Sequence, residues 1–209
     1  KVKIGTVGPP LAGVEVRLAD DGEVLVRGPV NTPGYFRQPE ATAELIDSEG
    51  WLHTGDVGEL DDDGYLKIVD RKKELIITSS GKNLSPANIE GLLKEHPLIG
   101  QVLVYGDDQP YVVALIVLDH ELAPAWAARN GLAGDDLAVL AAHEHVLAEV
   151  QLAVDAANQR LARIEQVKRF EILPVEWTAE SEELTPTLKL RRRIIHAKYA
   201  ERIEALYQG

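Results

Sequence analysis

Along the first seventy residues, apolar and polar positions alternate in short runs. VEVRLA (14–19), EVLVRG (23–28) and YLKIVD (65–70) change character every second residue or concentrate β-branched side chains, the pattern of strands with one buried face. GPP, DDGE, NTPGY and DDDGY separate them as turn formers. Asp61-Asp62-Asp63-Gly64, between GEL and YLKIV, predicts a hairpin turn. The spaced ligands and closing glutamate of a calcium loop are missing there, so a turn is expected, not a metal site.

After residue 70 the period changes. ELIIT (74–78) predicts a strand. SPANIEGLLKEHP (85–97) opens with a serine cap and a proline at the first helical position, then spaces Ile89, Leu92 and Leu93 helically. IGQVLVYGD and YVVALIVLD predict two strands joined by a DDQP turn, which makes a β-α-β-β unit. Residues 121–165 are alanine-rich and helical in period. Leu140, Leu147, Val154 and Leu161 recur every seven residues, as do Val150, Ala157 and Ile164. A packed helix is expected there; the repeat is too short to prefer a partner-binding coiled coil. KRFEILP predicts a further strand. A last helix, about 191–207, carries a stripe of Ile194, Ile195, Tyr199, Ile203 and Leu206. The charged run DRKKE (70–74) reads as an exposed joint. The expected fold is therefore α+β. Residues 1–70 form a β-rich subdomain, and residues 71–209 a small mixed α+β domain with an added helical segment.

Composition narrows the function. The chain has 209 residues, 45% hydrophobic and 27% charged, with a net charge of −12. That field repels nucleic acid and anionic membranes, so an anionic ligand must be held by local cations. With no cysteine there are no disulfides and no thiolate chemistry, which fits a reducing compartment. The longest apolar run, Tyr111–Leu118, falls far short of the roughly 18 residues of a membrane span. KVKIGTVG has no signal-peptide pattern. The expectation is a cytoplasmic protein, at most peripheral to a membrane. There is no methionine, even at position 1, so a piece of a longer polypeptide is expected.

Three stretches carry candidate chemistry. In His53-Thr54-Gly55-Asp56 a short carboxylate follows a glycine bend, suited to accepting hydrogen bonds from a vicinal diol such as ribose. The proposed hairpin brings Arg71 back towards Asp56, so the two can grip one nucleotide. A surface ion pair worth about 0–1 kcal/mol is the commoner outcome of such spacing. In TSSGKNLSPANIE (78–90), small residues and Lys82 precede a capped helix, where backbone N–H groups meet anions; no G-x-x-x-x-G-K-[ST] loop is present. Lys189, in ELTPTLKLRRR (183–193), is a compact charge on a long stem, suited to following oxygens whose charge shifts during transfer. Pro186 restrains its approach, and Leu188 and Leu190 are expected to anchor the bend in apolar surface. Arg191 to Arg193 fall at the positive end of the last helix, which suggests a compensating anion such as a phosphate-bearing ligand. His143 and His145 are two apart and cannot share a helical face as in H-E-x-x-H. No Gly-x-Ser-x-Gly elbow supports a serine hydrolase.

GTVGPPLAGVEVRL, GEVLVRGPVNTPGYFRQPEATAE, GWLHTGDVGELDDDGYLKIVDRKKELIITSSGKNLSPANIE and TPTLKLRR occur in that order. With them the chain resembles the adenylate-forming enzymes that include acyl-CoA synthetases, firefly luciferase and peptide-synthetase adenylation domains. The likeness runs over nearly the whole length. FEILPVEWTAESEELTPTLKLRR and the helical insertion are similar to the long-chain fatty acyl-CoA synthetase branch.

The resemblance implies a two-step reaction. ATP and a fatty acid give an acyl-adenylate and pyrophosphate; the thiol of coenzyme A then displaces AMP. It assigns Asp56 to the ribose hydroxyls, Arg71 and Ile68 to further nucleotide contacts, and Lys73 to the hinge of a mobile C-terminal domain. Lys189 matches the lysine that bridges carboxylate and α-phosphate during adenylation, and Ser80, Gly81 and Lys82 the face near coenzyme A. Magnesium is implied by ATP chemistry, with no ligand for it visible in this chain. The family's phosphate loop and fatty-acid tunnel belong to a large N-terminal region with no counterpart here, so adenylation is expected to need that region. Two alternatives stay open: a fatty acyl-AMP ligase loading a carrier protein, and a non-catalytic nucleotide-binding module.

Overall fold

The computed structural model describes residues 2–132 and 134–208. The chain divides into two compact units, Lys1–Leu75 and Ile76–Gly209.

The first unit is an antiparallel meander of β1 (Glu15–Leu18), β2 (Glu23–Arg27), β3 (Leu52–Leu60) and β4 (Leu66–Arg71), hydrogen-bonded in that order. The β3–β4 turn forms as its sequence predicts. Asp61 Oδ1 accepts from the amides of Asp63 at 3.0 Å and Tyr65 at 2.9 Å, and Gly64 takes a φ of 77°. A left-handed residue is what such a turn needs, and glycine supplies it without a Cβ clash. The Asp61 and Asp63 carboxylates both receive Lys3 Nζ, at 2.5 and 3.1 Å. Val24, Leu25 and Trp51 are buried in this unit, and the Arg17 and Arg27 guanidinium groups lie 4.3 and 4.4 Å from the Trp51 ring.

One feature of this unit departs from expectation and another adds to it. Helix α1 (Pro39–Leu45) occupies a stretch that reads as turns between strands. It starts on Pro39 and carries Glu40 in its first turn, but none of its residues is buried, so no apolar stripe announces it. The DRKKE run is exposed from Arg71 to Glu74, as expected, and is in addition tied to the first unit. Lys72–Glu74 form a single 3₁₀ turn, and Lys72 Nζ reaches Asp21 at 2.5 Å and Glu23 at 2.9 Å.

The second unit is three-layered. Its sheet contains β7 (Ile99–Tyr105), β8 (Val112–Leu118) and β9 (Val167–Leu173), with β8 in the centre, antiparallel to β7 and parallel to β9. Every residue of β8 is buried, which is why its sequence is a continuous apolar run with no alternation. A parallel neighbour requires a long crossover, and the helical insertion supplies it as α3 (Leu122–Arg129), α4 (Leu137–Ala141) and α5 (Glu144–Asn158). These pack on one sheet face with α2 (Pro86–Leu93), whose cap Ser85 Oγ accepts from the Asn88 amide at 3.2 Å. On the other face Leu103, Val113, Leu115 and Val117 meet Trp177, Ile195, Tyr199 and Ile203. The last three come from the C-terminal helical stretch, α6 (Arg192–Lys198) and α7 (Ala200–Gln208) with Tyr199 between them.

Here too the boundaries shift. ELIIT shrinks to β5 (Ile76–Ile77), paired with β6 (Asn83–Leu84). The seven-residue repeat crosses a break, since His143 ends one helical segment and caps α5, its Nδ1 accepting from the His145 amide at 3.2 Å. Leu147 is exposed on α5 and Ile164 in the turn after it, while the buried stripe of α5 is Val146, Val150, Ala153, Val154 and Ala157. Ala133, inside the stretch read as helical, lies outside the described residues, as do the terminal Lys1 and Gly209. The last helix is interrupted at Tyr199, whose φ of −114° and ψ of 21° stop α6.

Candidate active site

Asp56, Ile68, Arg71 and Lys73 fall in the first unit, and Ser80, Gly81, Lys82 and Lys189 in the second. Asp56 and Arg71 are cross-strand partners on β3 and β4, and Arg71 Nε meets Asp56 Oδ1 at 2.7 Å. The hairpin does bring the two together. Register shifts between Val57 and Gly58: Asp56 opposes Arg71 while Gly58 opposes Ile68. A three-residue step on β4 thus matches a two-residue step on β3, which is a bulge. Cross-strand partners share a face, so the bulge aligns Ile68 and Arg71 at a spacing that a regular strand would send to opposite faces. Ile68 stays exposed at 38%, large and apolar. Arg71 leaves Asp56 Oδ2 as an acceptor for a hydroxyl. Lys73, in the 3₁₀ turn, is exposed and has no ion pair among the described residues.

Glu23, which the sequence reading passed over, organises this region. It is 5% exposed. Its carboxylate accepts from the Gly55 amide at 2.9 Å and Lys72 Nζ at 2.9 Å, and lies 3.2 Å from His53 Nδ1. It therefore braces the residue before Asp56 and the residue after Arg71 at once. Burial works to raise this carboxyl, but the hydrogen bonds from Lys72, His53 and Gly55 outweigh it and hold Glu23 below its ordinary 4.5. A depressed carboxyl contributes stability above its unfolded value, which is lost as pH falls through the folded value. Glu23→Gln is therefore expected to reduce the loss of first-unit stability below pH 4.5, read by thermal unfolding at pH 7 and pH 4. An unchanged difference between the two pH values would show that Glu23 carries none of it.

In the second unit the Thr78–Lys82 segment joins β5 to β6, with Gly81 at a φ of 74°. Its base is tied to the β7–β8 turn. The Ser79 amide donates to the Gln109 carbonyl at 3.1 Å, and the Asp108 amide to the Ile77 carbonyl at 2.9 Å.

Lys189 sits on a second small hairpin, whose stem is marked by a Leu184–Leu190 bridge and by the Arg191 amide donating to the Glu183 carbonyl at 2.7 Å. Lys189 is exposed and forms no ion pair among the described residues. Leu190 packs against the core as expected, but Leu188 does not anchor the bend: it is 68% exposed, at a φ of 58°. For Arg192 the expected phosphate partner is corrected, because its compensating anion is within the protein, and Arg191 lies 3.7 Å from Glu182. Arg192 makes a two-pronged pair with Glu90 of α2, at 2.7 and 2.6 Å, and Glu90 also accepts from the Val104 amide at 2.9 Å. On the opposite stem strand the buried Glu183 takes Lys198 Nζ at 2.6 Å and the Tyr199 hydroxyl at 3.0 Å. Burial pushes the Glu183 carboxyl up, yet Lys198 and its other donors hold it below the usual range. Glu90 was detectable in the sequence as a carboxylate on the buried stripe of Ile89 and Leu93. Glu183 had no such local signal.

Among the described residues no three His, Cys, Asp or Glu side chains cluster so as to hold a metal ion, and no helix is long and apolar enough to cross a membrane.

A family model, AMP-binding enzyme C-terminal domain, matches residues 73–209. The chain is 46% identical over 207 residues to the long-chain-fatty-acid–CoA ligase FadD15 of Mycobacterium tuberculosis, covering 99% of this chain and 34% of that protein. It is 34% identical over 217 residues to human long-chain-fatty-acid–CoA ligase 6, covering 97% and 31%. It thus spans about a third of the length of the curated relatives it matches. Among solved structures, the A domain of carboxylic acid reductase from Segniliparus rugosus, in complex with AMP and a co-purified carboxylic acid, superposes with a TM-score of 0.74. The identity is 27%, over 95% of this chain and 32% of that one. O-succinylbenzoate coenzyme A synthetase from Bacillus subtilis, in complex with AMP, gives 0.64 at 28% identity, over 91% and 35%. The family match covers well over half of the residues, and the chain accordingly belongs to the AMP-binding enzyme C-terminal domain family.

Proposed function

We propose that this chain works as the C-terminal part of an ATP-dependent long-chain fatty acid–CoA ligase. The observation that carries the reading is Lys189: an exposed ammonium without an ion pair among the described residues, at the end of a hairpin whose stem is tied down by the buried carboxylates of Glu90 and Glu183. A cation held ready on a firm base suits charge that develops during acyl transfer to a nucleotide. In this reading Asp56 Oδ2 accepts from the ribose hydroxyls, Arg71 holds Asp56 in orientation and adds a nucleotide contact, and Ile68 offers an apolar surface nearby. Lys73 is the hinge, at the boundary between residues 1–70 and a mobile domain from residue 71. Ser80, Gly81 and Lys82 face coenzyme A. ATP supplies the adenylyl group, and its magnesium would be held by residues outside those described here. The partners are fatty acid, ATP, coenzyme A and the N-terminal region of the same protein, at most at a membrane surface.

The test is an assay of the full-length polypeptide with palmitate, ATP and magnesium. Acid-dependent pyrophosphate release is expected, followed by acyl-CoA on addition of coenzyme A. The 209-residue chain alone is expected to release none. Transfer to an acyl carrier protein in preference to coenzyme A would replace the acceptor, and nucleotide binding without pyrophosphate release would overturn the reading.

A further inference from the structure

The second unit contains the same turn twice. In Thr78-Ser79-Ser80-Gly81-Lys82, the Thr78 amide donates to the Lys82 carbonyl at 3.0 Å and the Gly81 amide to the Thr78 carbonyl at 2.8 Å. In Thr185-Pro186-Thr187-Leu188-Lys189, the corresponding bonds are 2.8 and 2.8 Å. The side chains repeat as well. Thr78 Oγ1 accepts from the Lys82 amide at 3.2 Å and lies 3.0 Å from the Ser80 hydroxyl. Thr185 Oγ1 accepts from the Lys189 amide at 3.1 Å and lies 3.0 Å from the Thr187 hydroxyl. The fourth residue is left-handed in both, Gly81 at 74° and Leu188 at 58°.

A three-residue hairpin loop ending in a left-handed residue is a common connection. The hydroxyl that closes it onto the following lysine is an addition that the connection does not require. It offers the lysine amide an acceptor that an aliphatic side chain cannot. Both turns end in a lysine without an ion pair among the described residues. A small change of backbone angle, carried down a four-carbon stem, moves the ammonium far more than the amide. A misplacement of about 1 Å at a reacting centre lowers a rate by about 10²-fold.

We propose that Thr78 and Thr185 are positioning residues. Each hydroxyl holds the backbone of the lysine that leaves its turn, so one turn geometry aims Lys189 in acyl-adenylate formation and Lys82 in thioester formation. This rests on the reading of Lys189 given above and extends it to a second cation and to the hydroxyls that orient both.

The experiment measures the two half-reactions separately in the full-length polypeptide: pyrophosphate release with fatty acid and ATP, and acyl-CoA formation from supplied acyl-adenylate. Thr185→Val is expected to slow the first about tenfold, within the coupling range of neighbouring groups, and to leave the second within about twofold. Thr78→Val is expected to do the reverse. Thr185→Ser and Thr78→Ser, which keep the hydroxyl, are expected to restore the rates. In a Lys189→Ala background Thr185→Val is expected to add nothing, since it acts through that lysine. Because Thr78 is buried, Thr78→Ala backs up the valine variant, and thermal midpoints separate misfolding from misaiming. Equal slowing of both half-reactions by either valine variant would overturn the proposal. So would a Thr185→Val effect that persists in full without Lys189. The underlying reading fails differently, by Lys189→Ala leaving pyrophosphate release intact.

Discussion

Lys189→Ala in the full-length polypeptide is expected to slow acyl-adenylate formation by about 10²–10³-fold, the loss seen when one preorganised donor to developing charge is removed. Thioester formation from supplied acyl-adenylate is expected to stay within about twofold. The separation follows from where the residue sits. Its side chain is exposed and makes no ion pair among the described residues, so truncation removes a charge without unsettling the core. The hairpin is held through Arg191, Arg192 and Glu183, none of which depends on the Lys189 ammonium. Equal loss of both steps, with an unchanged thermal midpoint, would refute the assigned role.

The second large effect is on stability. Arg192→Met removes the cation from a carboxylate whose side chain is 8% exposed. A buried charge stripped of its counterion destabilises by about 3–5 kcal/mol. At about 3 kcal/mol the thermal midpoint of the second unit falls by roughly 10 °C. Adding Glu90→Leu to Arg192→Met is expected to recover only part of that: replacing both members of a buried pair with apolar groups is often neutral, but the Val104 amide loses its acceptor. The measurement is thermal unfolding of the two variants and the unsubstituted protein by circular dichroism. A single variant within about 1 kcal/mol of the unsubstituted protein would mean that the pair does not brace α6 against α2.

Much of the framework was legible because it rests on local rules. The Asp61–Gly64 turn, the Ser85 cap with Pro86 behind it, and the unbroken apolar run of β8 each declare themselves within a few residues. Helix α1 did not, because a helix that buries nothing leaves no period. The seven-residue repeat was legible only in part. A heptad from Leu140 to Leu161 looks continuous in sequence, and Leu140, Val150, Val154, Ala157 and Leu161 are indeed buried, but His143 caps a new helix and Leu147 falls outside the buried stripe. Of the site, Asp56 and Arg71 were legible because a hairpin fixes their register. The bulge that aligns Ile68 with them was not, nor was Glu23, whose partners Gly55 and Lys72 lie far along the chain. The anion for Arg192 was sought in a ligand because Glu90 is a hundred residues away; only packing brings α2 to α6.

The base of the β5–β6 turn is pinned to the β7–β8 turn, and the stem of the other hairpin is pinned to α2 and to the β7 backbone through Glu90. Both lysine tips therefore belong to one frame within the second unit. Under the function proposed above, any displacement of that unit would move Lys82 and Lys189 together, so neither could be repositioned without the other.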